Sequence, residues 1–366
     1  MKMVVLLILA AACVAAPLVG DDLPRYASTL PATVSSNCVK QGGLPVRIHV
    51  FEDFETLIEK RWWLRGTPRT DDLPKSLSAD RPNHRALRAA KTKDFDRKMG
   101  DQSKTYKAVI FNPVPGPPMS GRTRLGFRYW LKGTNQIRVQ IYSLSRNYHR
   151  HLVLTNLPQE KWQSVTVDMT AARRPDGSGG LLSRDERIDD IQFYIAPEAD
   201  LRIDDIVLYE AAPNREKRPF PRRLIFTGWF DTGKQGDEWP GDFEIVLHDK
   251  PRTWDAARSV INKETGKPWI RVGMRGTRTL SGKTHLRFLY RAGKAGPIKI
   301  ALVDSKHAVR HEATLKSPVV GTWSEATLKF VTIKGSKTAT ADEIHFLRDQ
   351  DDAFMVDDLL LFEPGS

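Results

Sequence analysis

The chain predicts an all-β fold of two tandem β-sandwich domains, and three observations carry that expectation. The first is an internal repeat. Residues 123–142, TRLGFRYWLKGTNQIRVQIY, lie over residues 284–303, THLRFLYRAGKAGPIKIALV, at a constant offset of 161. The match sets Leu125 on Leu286, Phe127 on Phe288, Tyr129 on Tyr290, Ile137 on Ile298 and Val139 on Ile300, and it runs on to Trp162 and Trp323. The second is patterning: RVQIY, SVTVDM and IRVGM alternate apolar and polar residues, and turn clusters such as NPVPGPPMSG and RTLSG separate them. Period-two alternation bounded by Gly, Pro and Ser marks short strands. The third is length, since 366 residues are too many for one sandwich and suit two domains with extras.

In chain order, the opening MKMVVLLILAAACVAAPLVG has a Lys, an apolar run from Met3 to Ala12 and small residues after it. That is the pattern of a secretory signal peptide, with a run too short to span a bilayer. The leader is placed at residues 1–20, with cleavage after Ala16 or Gly20; Ala-Ala-Ala before Cys13 is a weaker, lipoprotein-type alternative. The protein is therefore expected to be exported, whether periplasmic, extracellular or at the cell surface, with no transmembrane segment left. Loss of the leader leaves Cys38 as the one cysteine, so no internal disulfide forms. A polar lead-in covers residues 21–44 and the first domain residues 45–210, where NHRALRAAK is the best short helical candidate.

A loop, ARRPDGSGGLLSRDE, interrupts the first copy; after it the offset falls to 153 and IQFYIAPEADLRIDDIVLYE lies over IHFLRDQDDAFMVDDLLLFE. Residues 211–223, AAPNREKRPFPRR, carry three prolines and a basic run and read as a semi-rigid spacer. The second domain then covers residues 224–364. A net charge of +13 points to neutral or anionic partners, and export argues against nucleic acid.

Two adjacent carboxylates sit in the last strand of each copy: Asp204 and Asp205 fall on Asp357 and Asp358. Neighbours in a strand face opposite sides, so with apolar residues on both faces at least one Asp of each pair should be partly buried. A buried carboxylate needs a cation or hydrogen-bond donors. Structural calcium, with about 6–8 oxygen ligands, is one solution; an Arg partner, backbone donors or a wet strand edge are the others. The first strand offers Glu52, Asp53 and Glu55 in VFEDFE, and the second unit offers Asp231 in GWFDTG.

An opening strand with Phe-Glu or Phe-Asp, a Trp-led strand such as KWQSVTV and a closing strand of the form I-D-D-I-x-L together resemble the galactose-binding-type jelly rolls. That group includes several families of carbohydrate-binding modules attached to polysaccharide-degrading enzymes. The resemblance covers both units and implies two jelly-roll sandwiches. It also implies calcium held by Asp204 or Asp205 with Glu52 or Asp53, and by Asp357 or Asp358 with Asp231. Residues 61–107 are long, basic and weakly patterned, and depart from it.

Sugar recognition needs flat aromatic faces for stacking and polar groups for hydroxyls. Trp62 and Trp63 are candidates in the first unit, and Trp239, Trp254 and Trp269 are their counterparts in the second; Trp162 and Trp323 read as core. The run SRNYHRHLVL places Tyr148 and Arg150 on one side of a strand and His149 and His151 on the other. The second unit has Arg310 and His311 there. Arg pairs bidentately with carboxylate or sulfate, which suits an acidic glycan; a solvated strand face is the plain alternative. No nucleophile elbow, HExxH or carboxylate pair spaced for glycoside hydrolysis is present. The expectation is a secreted, non-catalytic protein binding polysaccharide or cell-envelope glycan through two modules. The alternatives are a jelly-roll polysaccharide lyase using Tyr148, His149 and Arg150, and a cell-envelope assembly protein.

Overall fold

A computed structural model describes residues 47–364 apart from 53, 55–68, 73–84, 93–105, 114, 145, 175, 180–185, 211–220, 248–254, 305 and 334–338. Its strands form four antiparallel sheets. In the first unit β2 (Arg69–Asp72), β3 (Arg85–Arg88), β11 (Asp200–Glu210), β6 (Thr123–Lys132) and β9 (Gln163–Asp168) lie in that order, and β1 (Arg47–Glu52) pairs with β11. Its second sheet runs β4 (Ala90–Lys91), β5 (Lys107–Phe111), β10 (Ile188–Ile195), β7 (Ile137–Ser143), β8 (Tyr148–Leu154).

The second unit repeats the plan. One sheet runs β14 (Glu244–Leu247), β15 (Asp255–Arg258), β24 (Phe354–Pro364), β18 (His285–Ala292), β21 (Ser324–Lys329), with β12 (Pro221–Gly228) on β24. The other runs β13 (Gly241–Asp242), β17 (Pro268–Leu280), β23 (Ala339–Leu347), β19 (Ile298–Val303), β20 (Val309–Leu315), β22 (Val331–Thr332), with β16 (Val260–Ile261) on β17. The strand β12 starts inside the segment read as a spacer. The helical candidate is also extended: Arg85–Arg88 pairs with β11, so sheet pairing overrides the local helix propensity of RALRAAK. Among the described residues no helix is long and apolar enough to cross a membrane.

Alternate side chains of each sheet pair meet in a core. Phe127 and Phe193 meet edge to face at 4.7 Å in the first unit, and their repeat counterparts Phe288 and Phe346 do so at 5.3 Å in the second. Around them lie Val109, Val139 and Ile203, or Val272, Ile300 and Val356. Trp162 and Trp323, read as core, are both half-buried instead. The Arg128 guanidinium stands 5.0 Å over the Trp162 ring.

The acidic pairs do something that simple strand alternation does not anticipate. Asp205 and Asp358 both take positive φ, 47° and 49°, a left-handed conformation that Asp tolerates better than most residues. Each sits at a register break, between Asp204 and Val207 on β11 and beside Asp357 on β24. These are β-bulges, and a one-residue bulge exchanges the two faces of everything after it. Before the bulge Leu201 and Ile203 face the core; after it Ile206 and Leu208 do, and Val207 and Tyr209 turn to the opposite face. In the second unit Phe354 and Val356 give way to Leu359 and Leu361, with Leu360 and Phe362 turned out.

Candidate ligand-binding faces

The strand register places each nominated side chain. Arg150 pairs across from Ile141 and faces inward with it, where it is 2% exposed. Its Nη2 donates to Glu186 Oε1 at 2.7 Å and to the Tyr148 hydroxyl at 2.7 Å, and Nη1 donates to the Ala172 carbonyl at 3.2 Å. Tyr148 in turn donates to Glu186 Oε1 at 3.0 Å, and the Arg174 guanidinium lies 3.8 Å from its ring centroid. Tyr148 and Arg150 therefore belong to a buried polar network, and neither presents a free group to a glycan. The repeat counterpart of Arg150 is His311, buried as well, with Nε2 3.2 Å from both the Ser281 carbonyl and the Thr332 hydroxyl. Burial pushes the His311 imidazole pKa down. Arg310 is bound to Asp304, its Nε donating to Oδ2 at 2.7 Å. Both arginines nominated for acidic sugars are thus already paired with carboxylates.

His149 and His151 point the other way, to the outer face of the β10 sheet. Across that face run Ile110, Gln192, Gln140 and His151, one from each of four neighbouring strands. Gln140 Nε2 donates to Gln192 Oε1 at 2.6 Å, Gln192 Nε2 donates to Asp190 Oδ2 at 2.9 Å, and the Tyr194 hydroxyl donates to Gln192 Oε1 at 3.3 Å. These amides are buried and form a sheltered floor, while Arg138, Tyr142, His149 and His151 along β7 and β8 are half-exposed. The Tyr142 and His149 rings lie 5.0 Å apart. Burial, and then Arg138, hold the His151 pKa below the usual imidazole value.

The equivalent face of the second unit is more open. The row Arg271, His345, Ala301, Glu312 replaces Ile110, Gln192, Gln140, His151. Arg271 Nε donates to Asp242 Oδ2 at 2.7 Å and its Nη1 to Glu343 Oε1 at 2.6 Å. His345 Nε2 and Glu343 Oε2 are 2.7 Å apart, and the half-exposed Trp269 indole meets His345 edge on at 5.4 Å. The hydrogen bond with His345 and the charge of Arg271 hold the Glu343 carboxyl below its ordinary pKa. An indole, an imidazole, a guanidinium and carboxylates thus share one outer sheet face, each in contact with another. In sequence only Trp269 was visible there. The signal for the rest was the i, i+2 spacing of Glu343 and His345, which repeats Asp190 and Gln192.

The other tryptophans divide differently. Trp239 is buried, its Nε1 donating to the Thr232 carbonyl at 2.6 Å, and Trp229 Nε1 donates to the His49 carbonyl at 2.9 Å. Both line a cleft between the units, with Phe51, Pro115, Met274 and Arg275. Trp62, Trp63 and Trp254 lie outside the described residues.

For calcium, Glu52, Asp204, Asp205 and Asp357 are fully buried, and oxygen donors of this kind suit a hard cation. Glu52 Oε1 accepts the Phe54 N–H at 2.7 Å, and an Arg128 Nη1 lies 3.9 Å from Asp205 Oδ2. Asp231 Oδ1 accepts the Asp255 N–H at 3.2 Å, and Asp357 Oδ1 accepts the Asp358 N–H at 2.7 Å. Among the described residues no three such side chains gather as a metal cage. The nominated ligand Asp53 is not among those residues.

No family model matches the chain, and no curated protein matches it. Among solved structures it is similar to the tandem family 22 carbohydrate-binding modules of Paenibacillus barcinonensis Xyn10C, at 12% identity over 86% of this chain and 97% of that one, with a TM-score of 0.27. It is also similar to the family 11 carbohydrate-binding module of the cellulosomal cellulase Lic26A-Cel5E of Clostridium thermocellum, at 19% identity over 46% and 97%, TM-score 0.32. A third is the TmCBM61 module solved with β-1,4-galactotriose, at 12% identity over 41% and 88%, TM-score 0.26. At such TM-scores the fold assignment rests on the strand order and registers above.

Proposed function

We propose that the protein is an exported, non-catalytic glycan binder that takes neutral polysaccharide on the outer faces of the β10 and β23 sheets. The observation that carries the proposal is the Trp269–His345–Glu343–Arg271 group. A half-exposed indole on an outer sheet face supplies a stacking platform. Beside it, groups held by mutual hydrogen bonds offer donors and acceptors with little entropy left to lose on binding a sugar hydroxyl. Neutral sugar fits better than acidic, because the Arg271 guanidinium already faces two carboxylates, as Arg150 and Arg310 face theirs. The lyase alternative weakens for the same reason, since Glu186 holds the cation it requires.

Electrophoresis of the mature chain through gels containing neutral or anionic polysaccharides tests this. Retardation by a neutral polymer, weakened in Trp269→Ala and insensitive to salt, is expected. Retardation only by anionic polymers, and lost in salt, would assign binding to the +13 charge instead. Structural calcium at Glu52, Asp53, Asp204 and Asp205 belongs to the proposal. EDTA should then lower the thermal midpoint, and an unchanged midpoint would remove calcium from the proposal and leave Asp205 with Arg128.

A further inference from the structure

The residues that the two bulges turn outward meet each other. One apolar cluster contains Ile48, Val207 and Tyr209 from the first unit and Leu224, Leu360 and Phe362 from the second, with Phe51 packed against it. Its members correspond in pairs. Ile48 is opposite Tyr209 on β1 and β11, and Leu224 is opposite Phe362 on β12 and β24; Val207 and Leu360 are repeat counterparts. An interface in which each partner contributes the same patch is isologous, the arrangement of a two-fold dimer, here within one chain. Polar contacts surround it: Trp229 Nε1 to the His49 carbonyl, Thr232 Oγ1 to the Gly116 carbonyl at 2.6 Å, and an Arg187–Glu238 ion pair.

The apolar cluster lies on the outer faces of the β11 and β24 sheets, and the cleft beside it also takes in Pro115 and, from β17, Met274 and Arg275. The candidate binding faces are the outer faces of the β10 and β23 sheets, each on the far side of its own core. We infer that the two faces are held back to back at opposite ends of a four-sheet stack, so that one molecule bridges two polysaccharide chains rather than gripping one chain twice. The bridging half rests on the glycan-binding reading above; the back-to-back half does not.

Two experiments separate them. Spin labels on Val153→Cys and Glu312→Cys, both exposed on the two outer faces, in a mature chain carrying Cys38→Ser, read the geometry without sugar. Sheets pack about 10 Å apart, so four layers predict one narrow distance of at least about 30 Å. A distance below about 20 Å, or a broad distribution, would overturn the arrangement. For bridging, long soluble xylan, β-glucan and galactan are each titrated with protein and followed by light scattering. Scattering should rise several-fold, pass through a maximum and fall at excess protein. Trp269→Ala and the pair Tyr142→Ala with His149→Ala should each still bind, through the remaining face, but give no rise. Binding by wild type without a rise would overturn bridging. Absence of binding to every polymer would sink the glycan reading and bridging with it, whatever the label distance.

Discussion

Arg150 and His311 occupy the same position in two copies of one fold, and the copies solve the same problem differently. Each side chain faces inward from the strand after the β7 or β19 hairpin, where a polar group must find partners. The first copy uses an ion pair with both side chains 2% exposed, extended by the Tyr148 hydroxyl. The second uses a neutral imidazole between a carbonyl and a hydroxyl. The outer faces differ in the same spirit: an amide ladder sheltered in the first copy, an open indole with paired charges in the second. Duplication preserved the cores and the bulges while the polar residues diverged.

The comparison is broken most severely at the buried pair. Arg150→Ala should destabilise the protein by about 3–5 kcal/mol, because it strands the Glu186 carboxylate. The double change Arg150→Met with Glu186→Leu should recover most of that loss in chemical denaturation. Recovery failing would mean that Ala172 and Tyr148, not the charge pair, carry the cost.

Next in size is the bulge. Asp205→Val puts a β-branched residue at a φ of 47° and should cost about 1–3 kcal/mol. Asp205→Gly, which adopts that φ freely, should cost much less. Equal losses in the two variants would show that the carboxylate matters and the backbone does not. Asp358→Val and Asp358→Gly should repeat the pattern in the second copy.

Smaller again is a pH effect at the buried imidazole of the second copy. The folded pKa of His311 lies below its unfolded value near 6.5. Its contribution to stability is therefore complete above that pH and is lost as pH falls through the folded pKa. His311→Gln should flatten that part of the stability profile, measured as the difference from wild type between pH 7 and 5. The smallest change in stability is expected for Trp269→Ala, within about 1 kcal/mol for a half-exposed side chain, although glycan retention should weaken to that of the first face alone.

Much of this architecture was legible in the sequence because apolar spacing and repetition report directly on cores. Phe127 on Phe288 and Val139 on Ile300 found both sandwiches before any strand was placed. The acidic pairs were recognised as a feature of the repeated unit, yet their role was not: alternation assumes an unbroken strand, and Asp205 and Asp358 break it by entering the left-handed region. Arg150 misled for a related reason. A basic side chain suggests a surface, and Glu186, its partner, lies 36 residues away beyond an inserted loop. The β23 face stayed hidden because Arg271, Glu343 and His345 come from distant strands that only register brings together.

The account turns on which indole meets the sugar, and nitrogen-15 NMR of the tryptophan side chains reads that directly. Titration with a short neutral oligosaccharide is predicted to shift the Trp269 Nε1–H signal progressively and to leave Trp229 and Trp239, hydrogen-bonded in the inter-unit cleft, unmoved. Shifts confined to Trp229 and Trp239 would place the ligand between the units and contradict the two-face account.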